Sequence, residues 1–268
     1  MATLVRRSLG VLGAWMGAAI AGPYAVATFA VSFAGLIVAS AFVTSMPLVT
    51  MLAAALICGW AEVDGACGAS HVSALTPLRA LDKTHRLWRN SVIAYTVGGV
   101  VTSLIVGALL GLATFAVRRF VDQSLAAPTV VLAIAIVLAA RELRLLRFLL
   151  PQVNLQTQKF WALQFGHVTG AAMWGAHIGI GFATVIKHGG LYLVAACALM
   201  LGPLEGALLM SAFWVGRALP MWVTPLVVPR EIERDGSVLL DLVFRAGIAV
   251  RGAALVGFFC FAIALVMR

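Results

Sequence analysis

The chain is predicted to be an all-α integral membrane protein of about seven transmembrane helices. An N-terminal anchor precedes two inverted three-helix repeats, each opening with a broken helix. Three observations predict it. Of 268 residues, 62% are hydrophobic and 11% charged, with a mean hydropathy of +1.04, against about 45–50% and about 25% in soluble domains. No charged residue occurs between Arg7 and Glu62. Two of the apolar runs are longer than one bilayer crossing and are interrupted by polar, glycine-rich segments. This composition excludes a soluble enzyme, a secreted disulfide scaffold and a disordered tail.

A crossing needs about 20 apolar residues, and the runs are divided on that basis. The first span is expected over 10–36, with Pro23 as a bend point. Arg6-Arg7 before an apolar run resembles a signal peptide, but a removable apolar region has only about 7–15 residues. This one is read as an uncleaved anchor. The second span starts near Ser45, breaks over 62–71 and resumes over 72–81. The third covers 91–116. The fourth covers 125–141 and trails into an amphipathic 141–150. The fifth starts near His167, breaks at Lys187–Gly190 and resumes to 201. The sixth is 203–226 and the seventh 245–267. The units are therefore an anchor (1–44), a first repeat (45–150), a cytoplasmic linker (151–165) and a second repeat (166–268).

Orientation follows from the basic residues. With seven spans and the N-terminus inside, cytoplasmic segments hold Arg6, Arg7, Arg79, Lys83, Arg86, Arg89, Arg141, Arg144, Arg147, Lys159, Arg230, Arg234 and Arg245. Outer segments hold only Arg118, Arg119 and Arg268. The expected location is a bacterial inner membrane, with the N-terminus cytoplasmic and the C-terminus periplasmic. The formal charge of +9 is thus spent on orientation in the lipid bilayer, and no nucleic-acid partner is expected.

The breaks carry the chemistry. The first contains Glu62, Asp64, Cys67 and His71; the second contains Lys187 and His188. Glycine-interrupted segments at matching positions of two halves are the best sequence pointer to a site. A charge inside a bilayer costs at least about 2.5–3.5 kcal/mol on insertion scales and normally pairs. The acidic break and the basic break are therefore expected to meet, with Glu62 or Asp64 beside Lys187 or His188. The blander reading makes both breaks surface loops with solvated charges. Small-xxx-small pairs at Gly13/Gly17, Gly107/Gly111, Gly166/Gly170, Gly175/Gly179 and Gly202/Gly206 predict close helix packing. No C-x-x-C motif is present, so no zinc or dithiol site is written locally.

The run Gly202-Pro-Leu-Glu-Gly-Ala-Leu-Leu-Met-Ser-Ala-Phe-Trp-Val-Gly-Arg-Ala-Leu-Pro220 resembles the fifth helix of the CcdA/DsbD-type, cytochrome c biogenesis-like membrane proteins. Leu87–Gly111 resembles their second helix. The segment Gly59–His71, followed by Leu75-Thr-Pro-Leu78, is similar to the methylamine-utilization (MauF) branch of that family. The resemblance covers roughly 49–268 and implies six core helices in two inverted halves. It also implies a role in maturing or exporting a periplasmic enzyme, methylamine dehydrogenase for that branch, by thiol transfer. The partners it implies are the periplasmic client or a thioredoxin-like protein. Cys67 stands at the first of the family's two cysteine positions, although Ala66 replaces the proline there. Val185 stands at the second.

On this reading Cys67 is the thiol and His71 its neighbour one helical turn on; Glu62, Asp64, Lys187, His188 and His177 form the binding set. An alternative is a metal-cation or small-solute transporter, with Glu62, Asp64, Cys67 and His71 as ligands joined by His177 and His188. Another is a membrane scaffold without chemistry of its own, in which Glu205 and Arg217 tie helices together. No cofactor is expected, and the chain reads as a maturation factor or transporter more than as an enzyme.

Overall fold

The structure, a computed structural model, describes residues 22, 24–42, 46–81, 83–117, 126–153, 158 and 160–266. The signal-or-anchor question at Arg6-Arg7, the bend at Pro23, the Gly13/Gly17 pair and the basic residues Arg118, Arg119, Lys159 and Arg268 lie outside them. The described residues are helical without strands. Five helical segments are long and apolar enough to cross a membrane. They are α1 (Tyr24–Phe42), α2 (Pro47–Ala61) with the 3-10 turn Glu62–Asp64 that follows it, α5 (Arg86–Val117), α10 (Pro203–Val227) and α13 (Gly247–Val266). Between them lie α3 (Ala66–Leu75), α4 (Leu78–Leu81), α6 (Ala126–Glu142), α7 (Trp161–Phe165), α8 (His167–Gly179), α9 (Gly190–Leu201), α11 (Arg230–Glu233) and α12 (Gly236–Arg245).

The polarity of α5 is inverted relative to a helix in water. Ile93, Val97, Val101, Ile105, Leu109 and Leu112, spaced three or four apart, are exposed, whereas Ser91, Tyr95, Ser103 and Thr114 are buried. An extended exposed apolar face of this kind is one that lipid covers. Inside, close backbone approach replaces hydrophobic drive. The α5 and α10 helices run antiparallel, with Gly107 against Gly206 and Gly111 against Gly202. A Cβ on Gly59 of α2 would stand 1.8 Å from Phe213 O, and one on Gly216 of α10 would stand 1.9 Å from Leu56 O. On the other side Gly175 of α8 meets Tyr95 of α5, and Gly98 of α5 meets Ala172 of α8. Four of the five glycine pairs singled out in the sequence fall within described helices or their caps. The packing is reciprocal: α2 lies on α10 and α13, while α8 lies on α5.

Both predicted interruptions exist, but their bounds differ. The first is shorter. The chain turns over Glu62–Gly65 and is helical again from Ala66, so Cys67 and His71 sit on α3 and not in a loop. The second is longer, 180–189 rather than four residues. Gly181 adopts φ +80, a left-handed conformation in which glycine has no Cβ penalty. Its N–H reaches back to Ile178 O at 2.8 Å, which closes α8 well before Lys187. Beyond the break, Thr114 Oγ1 donates to Leu199 O, so α8 and α9 together follow α5. The break opens level with the middle of that helix, where Ser103 Oγ donates to Gly179 O at 2.9 Å.

The amphipathic stretch 141–150 leaves the helix after Glu142. Leu143 N–H bonds back to Ala139 O, and those of Leu145 and Leu146 to Ala140 O, while Arg144 takes φ +62. That tight turn ends α6 and leads into extended chain. The expected linker is packed rather than free-standing. Val153 N–H donates to Phe182 O, Ile186 N–H to the Gln152 side chain, and Tyr192 OH to Pro151 O. The last long apolar helix, α13, is preceded by the separate helix α12, which starts at the N-cap Asp235. The Ser237 hydroxyl, then the amides of Ser237 and Val238, hold the Asp235 carboxyl below its usual range.

Candidate functional site

The two breaks meet. Each oxygen of the Glu62 carboxylate accepts a backbone amide of the second break, from Lys187 N–H at 3.0 Å and His188 N–H at 3.1 Å. These amides lie just ahead of α9, so Glu62 places negative charge at a helix N-terminus, where the backbone favours it. Asp64 uses both oxygens as well. Oδ2 pairs with Lys187 Nζ, and Oδ1 meets His188 Nε2 at 2.8 Å. Asp64 also lies against Gly247, the first residue of α13. Asp64 is 1% exposed, Glu62 0% and His188 1%. The burial of these charges is offset by mutual pairing, as the sign difference between the breaks requires.

One member of the cluster escaped the sequence reading. Glu142, the last residue of α6 and 4% exposed, places Oε2 at 2.9 Å from His188 Nδ1. Both ring nitrogens of His188 therefore face carboxylates. A neutral imidazole has one donor and one acceptor. The chain Asp64–His188–Glu142 is thus fully hydrogen-bonded only when it holds one further proton, on the ring or on a carboxyl. Arg141 Nη1 bonds Glu142 at 2.8 Å and the Lys187 carbonyl at 3.0 Å, and Arg251 Nε lies 3.9 Å from Glu142. The signal was present: Glu142 is the only acid between Asp122 and Glu205, set among Arg141, Arg144 and Arg147. What hides it in the sequence is its place one residue past the expected end of the fourth span, in the amphipathic stretch 141–150.

Cys67 and His71 do share one turn of α3, but not as thiol and base. His71 Nδ1 is bonded to the Cys67 carbonyl, and its ring lies against Tyr95 and Trp174, with centroids 5.5 and 5.3 Å away. His177 packs its ring on Trp161, away from the paired breaks, and its Nε2 has no partner among the described residues. The proposed ligand set Glu62, Asp64, Cys67 and His71 is split by the turn at Gly65. Among the described residues no three His, Cys, Asp or Glu side chains gather as metal ligands. No disulfide joins the four buried cysteines. Cys58 lies against Gly190 and Gly257, between α9 and α13.

A second polar region lies beneath the cluster. Trp88, Ser91 and Tyr95, spaced three and four apart on one face of α5, each bury a polar atom that has no partner among the described residues. The Arg217 guanidinium on α10 is buried at 1% exposure, and none of its three nitrogens has a hydrogen-bond partner among the described residues. Trp214, one turn before Arg217, packs on the Tyr95 ring at 5.1 Å. A sequence reading that gives Arg217 the job of tying helices together does not account for a guanidinium without an acceptor. Buried polar groups of a folded protein are almost always satisfied. Trp88, Ser91, Tyr95 and Arg217 thus form a buried polar group whose hydrogen-bonding capacity is unmet among the described residues.

No protein-family model, curated protein or solved structure matches the chain.

Proposed function

We propose that the chain is a multi-pass transport protein of the inverted-repeat type. In this reading the paired breaks are its working site, and Asp64, His188 and Glu142 relay protons across the membrane. The observation that carries it is the double engagement of His188 by carboxylates from the first break and from the end of α6. Buried His and acid chains of this kind are the usual form of a proton relay in a membrane. The file of Trp88, Ser91, Tyr95 and Arg217 supplies the route from the α5 N-terminal end toward the breaks.

The finer architecture belongs to the same proposal. We take α6 and the α8–α9 pair as crossings beside the five long apolar segments, which makes seven. The repeats are then α2–α6 and α8–α13, exchanged by an axis between α5 and α10. Supporting this, α2 packs on α10 as α8 packs on α5, so each broken helix rests on the second helix of the other half. The location is a bacterial inner membrane, with the α5 N-terminal end cytoplasmic.

The experiment is proton uptake into proteoliposomes driven by a potassium diffusion potential and read by an enclosed pH dye. The wild-type chain acidifies the lumen and Asp64→Asn does not. Equal uptake by both, or uptake no faster than in protein-free vesicles, would remove the relay.

A second reading rests on Cys67. It lies at the second position of α3. In that reading the chain hands reducing equivalents to a periplasmic client enzyme or thioredoxin-like protein, as the CcdA/DsbD and MauF resemblance implies. Cys67→Ser then abolishes maturation of the client, and a mixed disulfide through Cys67 is recoverable.

A further inference from the structure

A cavity of about 610 Å³ opens beside the paired breaks, lined by residues of the α6 end, the turn after it, the second break and α13. Its size falls in the range of small-ligand sites. Five permanent cations line it: Arg141, Arg144, Arg147, Lys187 and Arg251. The acid in that lining is Glu142, and its carboxylate is already held by Arg141 and His188 at 2.8 and 2.9 Å. Lys187 is held by Asp64. What is left is an excess of arginine. Among the described residues Arg251 Nε makes no hydrogen bond, only the 3.9 Å approach to Glu142, and the side chains of Arg144 and Arg147 make neither hydrogen bond nor ion pair.

Arg144 holds φ +62, a region sparsely used by residues with a Cβ. The rest of the turn is apolar and turned outward. Leu146, Phe148 and Leu149 share the cavity wall with the arginines. Leu145 and Leu149 are 74% and 91% exposed. In water such leucines would be a liability; against lipid they are ordinary. A guanidinium cluster matches phosphate oxygens, and basic pockets between membrane helices take lipid headgroups.

We infer that this cavity binds the phosphate of an anionic phospholipid, with the acyl chains lying over Leu145 and Leu149. The phosphate sits among Arg144, Arg147 and Arg251; the first two side chains have no partner among the described residues, and Arg251 stands 3.9 Å from Glu142. The inference needs only that the chain lies in a bilayer; it does not need the relay to move protons.

The test uses the full chain purified in detergent. Retained lipid is read by native mass spectrometry, and the unfolding midpoint during titration with phosphatidylglycerol, phosphatidylcholine or inorganic phosphate. Phosphatidylglycerol should be retained and should raise the midpoint, while phosphatidylcholine and millimolar phosphate do neither. Arg144→Gln with Arg147→Gln should weaken phosphatidylglycerol by roughly fivefold for each arginine removed. Arg230→Gln with Arg234→Gln, on the turn around α11, serves as the charge-matched control and leaves affinity unchanged. Equal retention of phosphatidylcholine, or undiminished phosphatidylglycerol binding by the Arg144/Arg147 variant, would overturn the site. Protection by inorganic phosphate as strong as that by lipid would overturn the lipid assignment in favour of a free anion. If the double variant elutes as aggregate, Arg147→Lys decides. It keeps the charge but loses the paired donors of the guanidinium, and a lipid affinity below wild type supports the site while an unchanged one counts against it.

Discussion

Asp64 Oδ1 and His188 Nε2 lie 2.8 Å apart, and they join two broken helices separated by more than a hundred residues of chain. Neither helix could hold its charge in an apolar surrounding alone. Glu62 reinforces the junction by accepting the two amides that precede α9. The breaks are therefore parts of one structure, each completing the other.

The first prediction concerns that mutual dependence. His188→Leu leaves Asp64 and Glu142, both buried, without their shared partner. Breaking a buried pair costs about 3–5 kcal/mol. The lower end is expected, because Lys187 still holds Asp64 and Arg141 still holds Glu142. The unfolding midpoint in detergent should fall clearly for His188→Leu and recover in part when Glu142→Gln is added. A double variant less stable than the single one would show that the coupling is absent.

Packing makes a second prediction. Gly216→Ala places a methyl group against Leu56 O at the α2–α10 crossing, whereas a Cβ on Gly252 meets nothing within 4 Å. Only backbone movement can relieve the first clash. Gly216→Ala should lower the unfolding midpoint and the monodisperse yield, and Gly252→Ala should leave both unchanged. Equal behaviour of the two variants would contradict the crossing.

Much of this was legible in the sequence because bilayer physics is severe. Charge signs at Glu62, Asp64, Lys187 and His188, with glycines around them, are enough to anticipate that the breaks meet. The packing glycines are likewise readable from spacing. Two things were not. The lengths of the breaks depend on where the backbone finds partners: Gly65 lets α3 restart early, while Gly181 ends α8 early. Glu142 and Arg251 enter the cluster only through tertiary packing, since α6 and α13 bring them from runs that carry no local signal of a break. Residues Cys67 and His71 had the right spacing for a helical turn, but spacing says nothing of which atom of Cys67 the imidazole would meet.

The third prediction separates the two functional readings. His71 is bonded to the Cys67 carbonyl and not to the thiol, so the relay does not need the sulfur. Cys67→Ser should retain proton uptake in proteoliposomes, whereas Asp64→Asn loses it. Loss of uptake in a folded Cys67→Ser protein would move the working site to the thiol.

A fourth prediction lies outside the candidate spans, at Asp235. Its carboxylate caps α12, accepting from the amides of Ser237 and Val238 at 2.9 and 3.3 Å. Its folded value is depressed, so the cap is fully present above the ordinary aspartate value of about 3.9 and fades as pH falls through the lower, folded value. Amide exchange at Ser237 and Val238 should be slow at neutral pH and faster in Asp235→Ala, with Asp235→Asn close to wild type. Identical exchange in all three proteins would deny the cap.

The central claim is that the Asp64–His188 junction closes a polar route running along Trp88, Ser91 and Tyr95. Its most direct test is modification of Ser91→Cys by a membrane-impermeant thiol reagent applied to each face of oriented vesicles, with the wild-type chain as the background for its own buried cysteines. The account predicts reaction from the α5 N-terminal face alone, and reaction from the opposite face as well once Asp64→Asn is added. An Asp64→Asn protein that is folded but stays as closed to the far side as its parent would contradict it.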